Sequence, residues 1–258
     1  MAWRLSRDTG CPVLMLNYRL APDHPYPSAI VDALACYMWL TDRSPHGAGY
    51  TPEQVIIGGD SADLTVALLC MLRDSGMKQP AGTYLWSPWM DLTHSSESWR
   101  TNNRSDYIPD PVSMDIMRVL PFGDREHFYV KSHDLIRHPY VSPFYATYEH
   151  FPPMLVQTGT AERLYDEGKR CAKSHRVANA GRHTPTRLEI YEEMPHVWQA
   201  LTFLPSAKEA LRRTSLFIVD VWQHAANNSD NNAASTATAL KDWYLKIDTH
   251  GKATTLPW

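Results

Sequence analysis

The sequence is short of paired cysteines, of surplus charge and of long apolar runs, and each shortage removes a class of function. Its four cysteines, Cys11, Cys36, Cys70 and Cys171, form no CxxC pair, which excludes a disulfide framework and the commonest zinc ribbons. They read as buried free thiols, which fits a reducing, cytoplasmic compartment. Lys plus Arg number 25 against 28 Asp plus Glu, a net charge of −3, so the electrostatics draw the chain neither to nucleic acid nor to an anionic membrane surface. No apolar run approaches the length of a membrane span, about 18 residues, and the opening MAWRLSRDTGCPVLMLNY holds too short a run for a secretory signal. There are 12 histidines but no HExxH. They read as structural or surface groups, with one exception below, and neither a metal nor another cofactor is expected.

What is present is the composition of a globular α/β domain: 43% hydrophobic and 21% charged over 258 residues. Short aliphatic or β-branched runs alternate with segments of helical period. Strands are expected over residues 12–17, 54–58, 82–86, 154–157 and 186–191, and helices over residues 28–41, 62–73, 162–179 and 207–224. Ile30, Leu34, Tyr37 and Met38 share one face of the first helix, and Leu211, Ile218 and Trp222 one face of the last. Crossover helices between such strands predict a three-layer α/β sandwich around a mostly parallel sheet.

Residues 91–142 break the alternation, being polar and punctuated by proline, with one apolar helix candidate at 114–120. They read as an insertion, either a cap-like lid or an ordered surface excursion. After His224, the stretch AANNSDNNAASTATA reads as a flexible linker. The expected organisation is therefore one domain over residues 1–225, then a linker and tail over 226–258 that either docks back or hangs free.

The sharpest local signal is VIIGGDSAD at residues 55–63, followed by the apolar run LTVALLCML. A strand that reverses into a helix with serine at the apex projects Oγ at the carboxyl edge of the sheet, and the strain requires small neighbours. Ser61 is thus a candidate nucleophile; the plain alternative is a helix N-cap. A serine needs a base, and the base needs an acid to fix its tautomer. The strand MLVQTG runs into AERLYDEG and the strand TRLEIY into EEMPHVW. Glu162 and His196 therefore follow strands at the same sheet edge as Ser61, with Asp166 and Glu167 as competing acids a turn later. Trp86, Trp89 and Trp198 lie near strand ends, where they either line an apolar pocket or pack the core.

Several blocks resemble the hormone-sensitive-lipase-like family of α/β hydrolases: YRLAPDHPYPSAIVDA at 18–33, GGDSA at the serine, SPWMDL at 87–92 and HPYVSPF at 138–144. The resemblance runs from about residue 8 to residue 222. It implies an α/β-hydrolase fold, Ser61 as nucleophile, Glu162 as acid four residues before Asp166-Glu167, and His196 as base opening the run His196-Val197-Trp198. It further implies that the Ala62 N–H serves the oxyanion hole. Two features depart from the family pattern. The family's HGGG-type loop, which would precede Tyr18, is absent from this N-terminally truncated pattern; His46-Gly47-Ala48-Gly49 lies instead before the serine strand and reads as a turn. Asp63 stands where the family has glycine. The expected function is hydrolysis of small neutral carboxylic esters through an acyl-enzyme. The alternatives are an impaired, truncated member that retains ligand or partner binding, and a purely structural module.

Overall fold

The computed structural model describes residues 1–62, 64–108, 129–182, 184–229 and 240–258. Its strands are β1 Ile56–Ala62, β2 Gly82–Trp89, β3 Met154–Gly159, β4 Thr186–Tyr191, β5 Trp243–Ile247 and β6 Ala253–Thr255. They form one six-stranded sheet in sequence order. The pairings from β1 to β5 are all parallel, and β6 closes antiparallel on β5. The helices are α1 Ala2–Thr9, α2 Ser28–Thr41, α3 Leu64–Asp74, α4 Glu97–Thr101, α5 Tyr165–Ala178 and α6 Pro205–Ser229.

Strand alternation sorts the core into two layers. Leu85, Met154, Val156, Leu188 and Ile190 face α3 and α5 through Val66, Leu69, Cys70, Cys171 and Ala172. The intervening residues Tyr84, Trp86 and Leu155 face α1 and α6 through Leu5, Leu211, Phe217, Ile218 and Val221. α2 joins the first layer by packing Ala33 and Tyr37 on Val55, Leu68 and Leu72. This is the expected three-layer sandwich. The helix faces are rotated slightly from the expected ones: Met38 and Trp222 are exposed, while Ala33 and Val221 turn inward.

One expectation is corrected. Residues 12–17 form no strand. They lie in the connection between α1, on one face of the sheet, and α2, on the other, and take no part in the ladder. Val13, Leu14, Met15 and Leu16 are all exposed: apolar β-formers make a strand only where a neighbouring strand takes their N–H and C=O groups. Of the two alternatives for the tail, docking back is the one seen, since residues of the tail join the sheet. Trp243–Ile247 pairs in parallel with Arg187–Tyr191, and the Trp243 ring lies 3.8 Å from the Arg187 guanidinium carbon. The helix expected at 114–120 and most of the linker, residues 230–239, lie outside the described residues. No described helix is long and apolar enough to cross a membrane.

Candidate active site

Because β1, β3 and β4 run parallel, their carboxyl ends open on one edge, where the end of β1 carries Ser61 and the segments leaving β3 and β4 carry Glu162 and His196. Ser61 stands at the end of β1 with φ 53°, a left-handed conformation costly for a non-glycine residue. The register with β2 shifts between Asp60 and Ala62. That irregularity turns the strand at the serine, as the small-residue run GGDSA permits. Gly58 is required on the way, since a Cβ there would sit 2.1 Å from the Tyr84 ring.

The structure brings the three residues together. His196 Nε2 is 2.7 Å from Ser61 Oγ, and His196 Nδ1 is 3.4 Å from Glu162 Oε2. Glu162 is wholly buried and His196 nearly so. The other carboxylate oxygen, Oε1, accepts the Thr158 hydroxyl and, at 2.8 Å, the Gly159 N–H, so one oxygen is anchored and the other aimed at the ring. Asp166 and Glu167 face elsewhere. Asp166 accepts the Ser98 N–H at 2.9 Å, and Glu167 accepts the N–H groups of Met90 and Asp91 at 2.6 and 2.9 Å. Burial drives the Glu167 carboxyl well above its ordinary range. Desolvation also raises Asp60, next to the serine, while His196 pulls it the other way.

The loop carrying the histidine is pinned by contacts that nothing in the local sequence advertises. The Val197 N–H donates to Ser87 Oγ, in β2, at 3.0 Å. The Asp106 carboxylate accepts the His196 N–H at 3.0 Å. Ser142 accepts the Leu92 N–H and donates to the Ile136 carbonyl, which ties SPWMDL to HPYVSPF. Trp86 donates to Thr214 Oγ1 on α6, and Trp198 is buried against Tyr191, so both are core residues. Trp89 stacks on His94.

The His46–Gly49 run is a turn. Its amides close back on α2: Ala48 N–H to the Trp39 carbonyl and Gly49 N–H to the Asp42 carbonyl, each at 2.9 Å. Ala62 is the last residue of β1, directly after Ser61. Asp63 lies outside the described residues. Among the described residues no group of three or more His, Cys, Asp or Glu side chains is arranged to hold a metal ion.

The model of the alpha/beta hydrolase fold matches residues 1–200. The chain belongs to the alpha/beta hydrolase fold family. Within the family, it is 34% identical over 214 residues to an acetyl-hydrolase of Streptomyces hygroscopicus, a match covering 81% of this chain and 65% of the relative. An esterase of Acinetobacter venetianus is 33% identical over 210 residues, covering 80% and 64%. The chain thus spans about two thirds of the length of these relatives. A crystal structure of an esterase from the bacterial hormone-sensitive lipase family superposes with a TM-score of 0.72 at 34% identity, covering 85% of this chain and 69% of the other. EstE5 soaked with p-nitrophenyl butyrate gives 0.74 at 33%, covering 86% and 70%. The hormone-sensitive-lipase-like resemblance of the motifs is therefore borne out.

Proposed function

We propose that the chain is a carboxylic-ester hydrolase in which Ser61 is the nucleophile, His196 the general base and acid, and Glu162 the residue that orients His196. The observation that carries this reading is the 2.7 Å contact between His196 Nε2 and the Oγ of a serine held at positive φ. As Oγ attacks the ester carbonyl, its proton passes to Nε2, and the imidazolium gains the Glu162 carboxylate on its other side. The oxyanion points to the N–H of Ala62. His196 then returns the proton to the leaving alcohol, and water repeats the sequence on the acyl-enzyme. Relatives named acetyl-hydrolase and esterase support a small neutral ester as substrate.

A second reading, a family member impaired in catalysis, is favoured by the commitment of the Ala48 and Gly49 amides to the α2 turn. Each oxyanion donor contributes roughly 10²–10³ in rate. The test is p-nitrophenyl butyrate hydrolysis and fluorophosphonate labelling of the purified chain beside Ser61→Ala. Labelling confined to Ser61, with turnover lost in Ser61→Ala, supports the hydrolase. Absence of labelling in the parent chain supports the impaired member and refutes the proposal.

A further inference from the structure

Outside the three residues just described, one carboxylate joins both loops that hold them. Asp106 Oδ2 accepts the Arg163 N–H at 2.7 Å, at the residue following Glu162. Its Oδ1 accepts the His196 N–H at 3.0 Å and the Tyr107 N–H at 2.9 Å. The same segment grips the acid loop at further points. Ser105 Oγ donates to the Ala161 carbonyl at 2.9 Å, and the Asn102 side-chain amide donates to the carbonyls of Thr160 and Glu162 at 3.0 and 2.9 Å. The Arg163 side chain returns the grip, donating to the Trp99 carbonyl at 2.8 Å.

The acid and base loops come from adjacent strands, β3 and β4. The Glu162–His196 contact that spans them is long, at 3.4 Å, and a pair at that distance gains or loses much from a small relative shift. We propose that Asp106 is a positioning residue that sets the separation of Glu162 and His196 by bridging the main chains of their two loops. It acts through backbone geometry, since its oxygens face amide N–H groups and not the imidazole. An amide at this position keeps the size of the side chain but turns one accepting oxygen into an N–H₂ group opposed to a donor, so one side of the bridge must open.

The inference rests on the proposed Ser61, His196 and Glu162 roles, and its test separates the two. Fluorophosphonate labelling and ester turnover are measured for the parent chain, Ser61→Ala, Asp106→Asn, Asp106→Glu, Glu162→Gln and the double variant Asp106→Asn/Glu162→Gln, with circular dichroism confirming the fold of each. A displacement of about 1 Å in a reacting constellation costs roughly 10²-fold. Asp106→Asn is therefore expected to lose about that factor in kcat, with KM changed less than about twofold. Asp106→Glu, which keeps both acceptors, recovers part of the loss. Added to Glu162→Gln, the Asn change has little further effect, because the contact it positions is already lost.

Multiplicative losses in the double variant, or a normal kcat in Asp106→Asn, overturn the positioning role while leaving the hydrolase standing. Labelling of Ser61→Ala as fast as the parent overturns both. If Asp106→Asn does not fold, Asp106→Glu replaces it in the cycle with the same criterion. If labelling of the parent is too slow to time, hydrogen exchange at the Arg163 and His196 amides is the readout: at least one of the two rises in Asp106→Asn, and unchanged exchange at both overturns the proposal.

Discussion

Replacing Glu162 by glutamine tests the proposed relay at its most specific point. Oε1 accepts from the Thr158 hydroxyl and the Gly159 N–H, so the amide oxygen of a glutamine is drawn to that side. Its N–H₂ group is then left facing His196 Nδ1. Nδ1 must become an acceptor, the ring proton moves to Nε2, and Ser61 Oγ meets an N–H in place of the lone pair that should take its proton. The electrostatic loss adds to this. A unit charge pair 3.4 Å apart interacts by about 5 kcal/mol at an effective dielectric near 20, which corresponds to between about 10³ and 10⁴ in rate. Glu162→Gln should therefore lose about 10³-fold or more in labelling rate while still binding ester and keeping its fold. Asp166→Asn, whose carboxylate faces the Ser98 amide, should stay within about twofold of the parent. Labelling of Glu162→Gln within tenfold of the parent, or an equal loss from Asp166→Asn, would refute the assignment.

Two further outcomes follow from the same geometry. In Gly159→Ala the new Cβ would lie 2.0 Å from the Met194 carbonyl oxygen, two residues before His196, so urea denaturation should show at least about 2 kcal/mol of destabilisation together with slower labelling. His175 is buried between Thr186 Oγ1 and the Pro152 carbonyl, and burial lowers its pKa to about 4. The stability this gives is fully present above the unfolded pKa of about 6.5 and is lost as pH falls toward 4, by about 3 kcal/mol. His175→Leu should flatten urea stability between pH 7 and pH 4.5, and an unchanged slope would contradict the link.

The layout of the candidate site was legible because a parallel sheet repeats one rule. Parallel strands all end on the same edge, so the serine that closes GGDS and the chemistry-bearing residues just after MLVQTG and TRLEIY must converge. Periodicity located α2 to the residue, since Ser28–Thr41 buries Ile30, Ala33 and Tyr37. It failed for residues 12–17, where the pattern states that a segment suits a strand but not whether a neighbour is there to pair with it. It also missed Trp243–Ile247, whose place is set by β4 and by stacking on Arg187. Asp106 and Ser87 were illegible for another reason. They bind main-chain N–H groups 90 and 110 positions away, and a main-chain donor leaves no signature in a sequence.

Among the described residues β1 ends the sheet, paired on one side only, while the strands ahead of Glu162 and His196 have neighbours on both sides. Ser61, the proposed nucleophile, is thus mounted on an edge strand of the ladder. Its alignment is governed by the free energy of opening that one strand, which can be far smaller than that of unfolding the whole domain. On the proposed roles, the alignment of Ser61 and the integrity of the fold have separate thermodynamic limits, and warming should release Ser61 while Glu162 and His196 still hold their places.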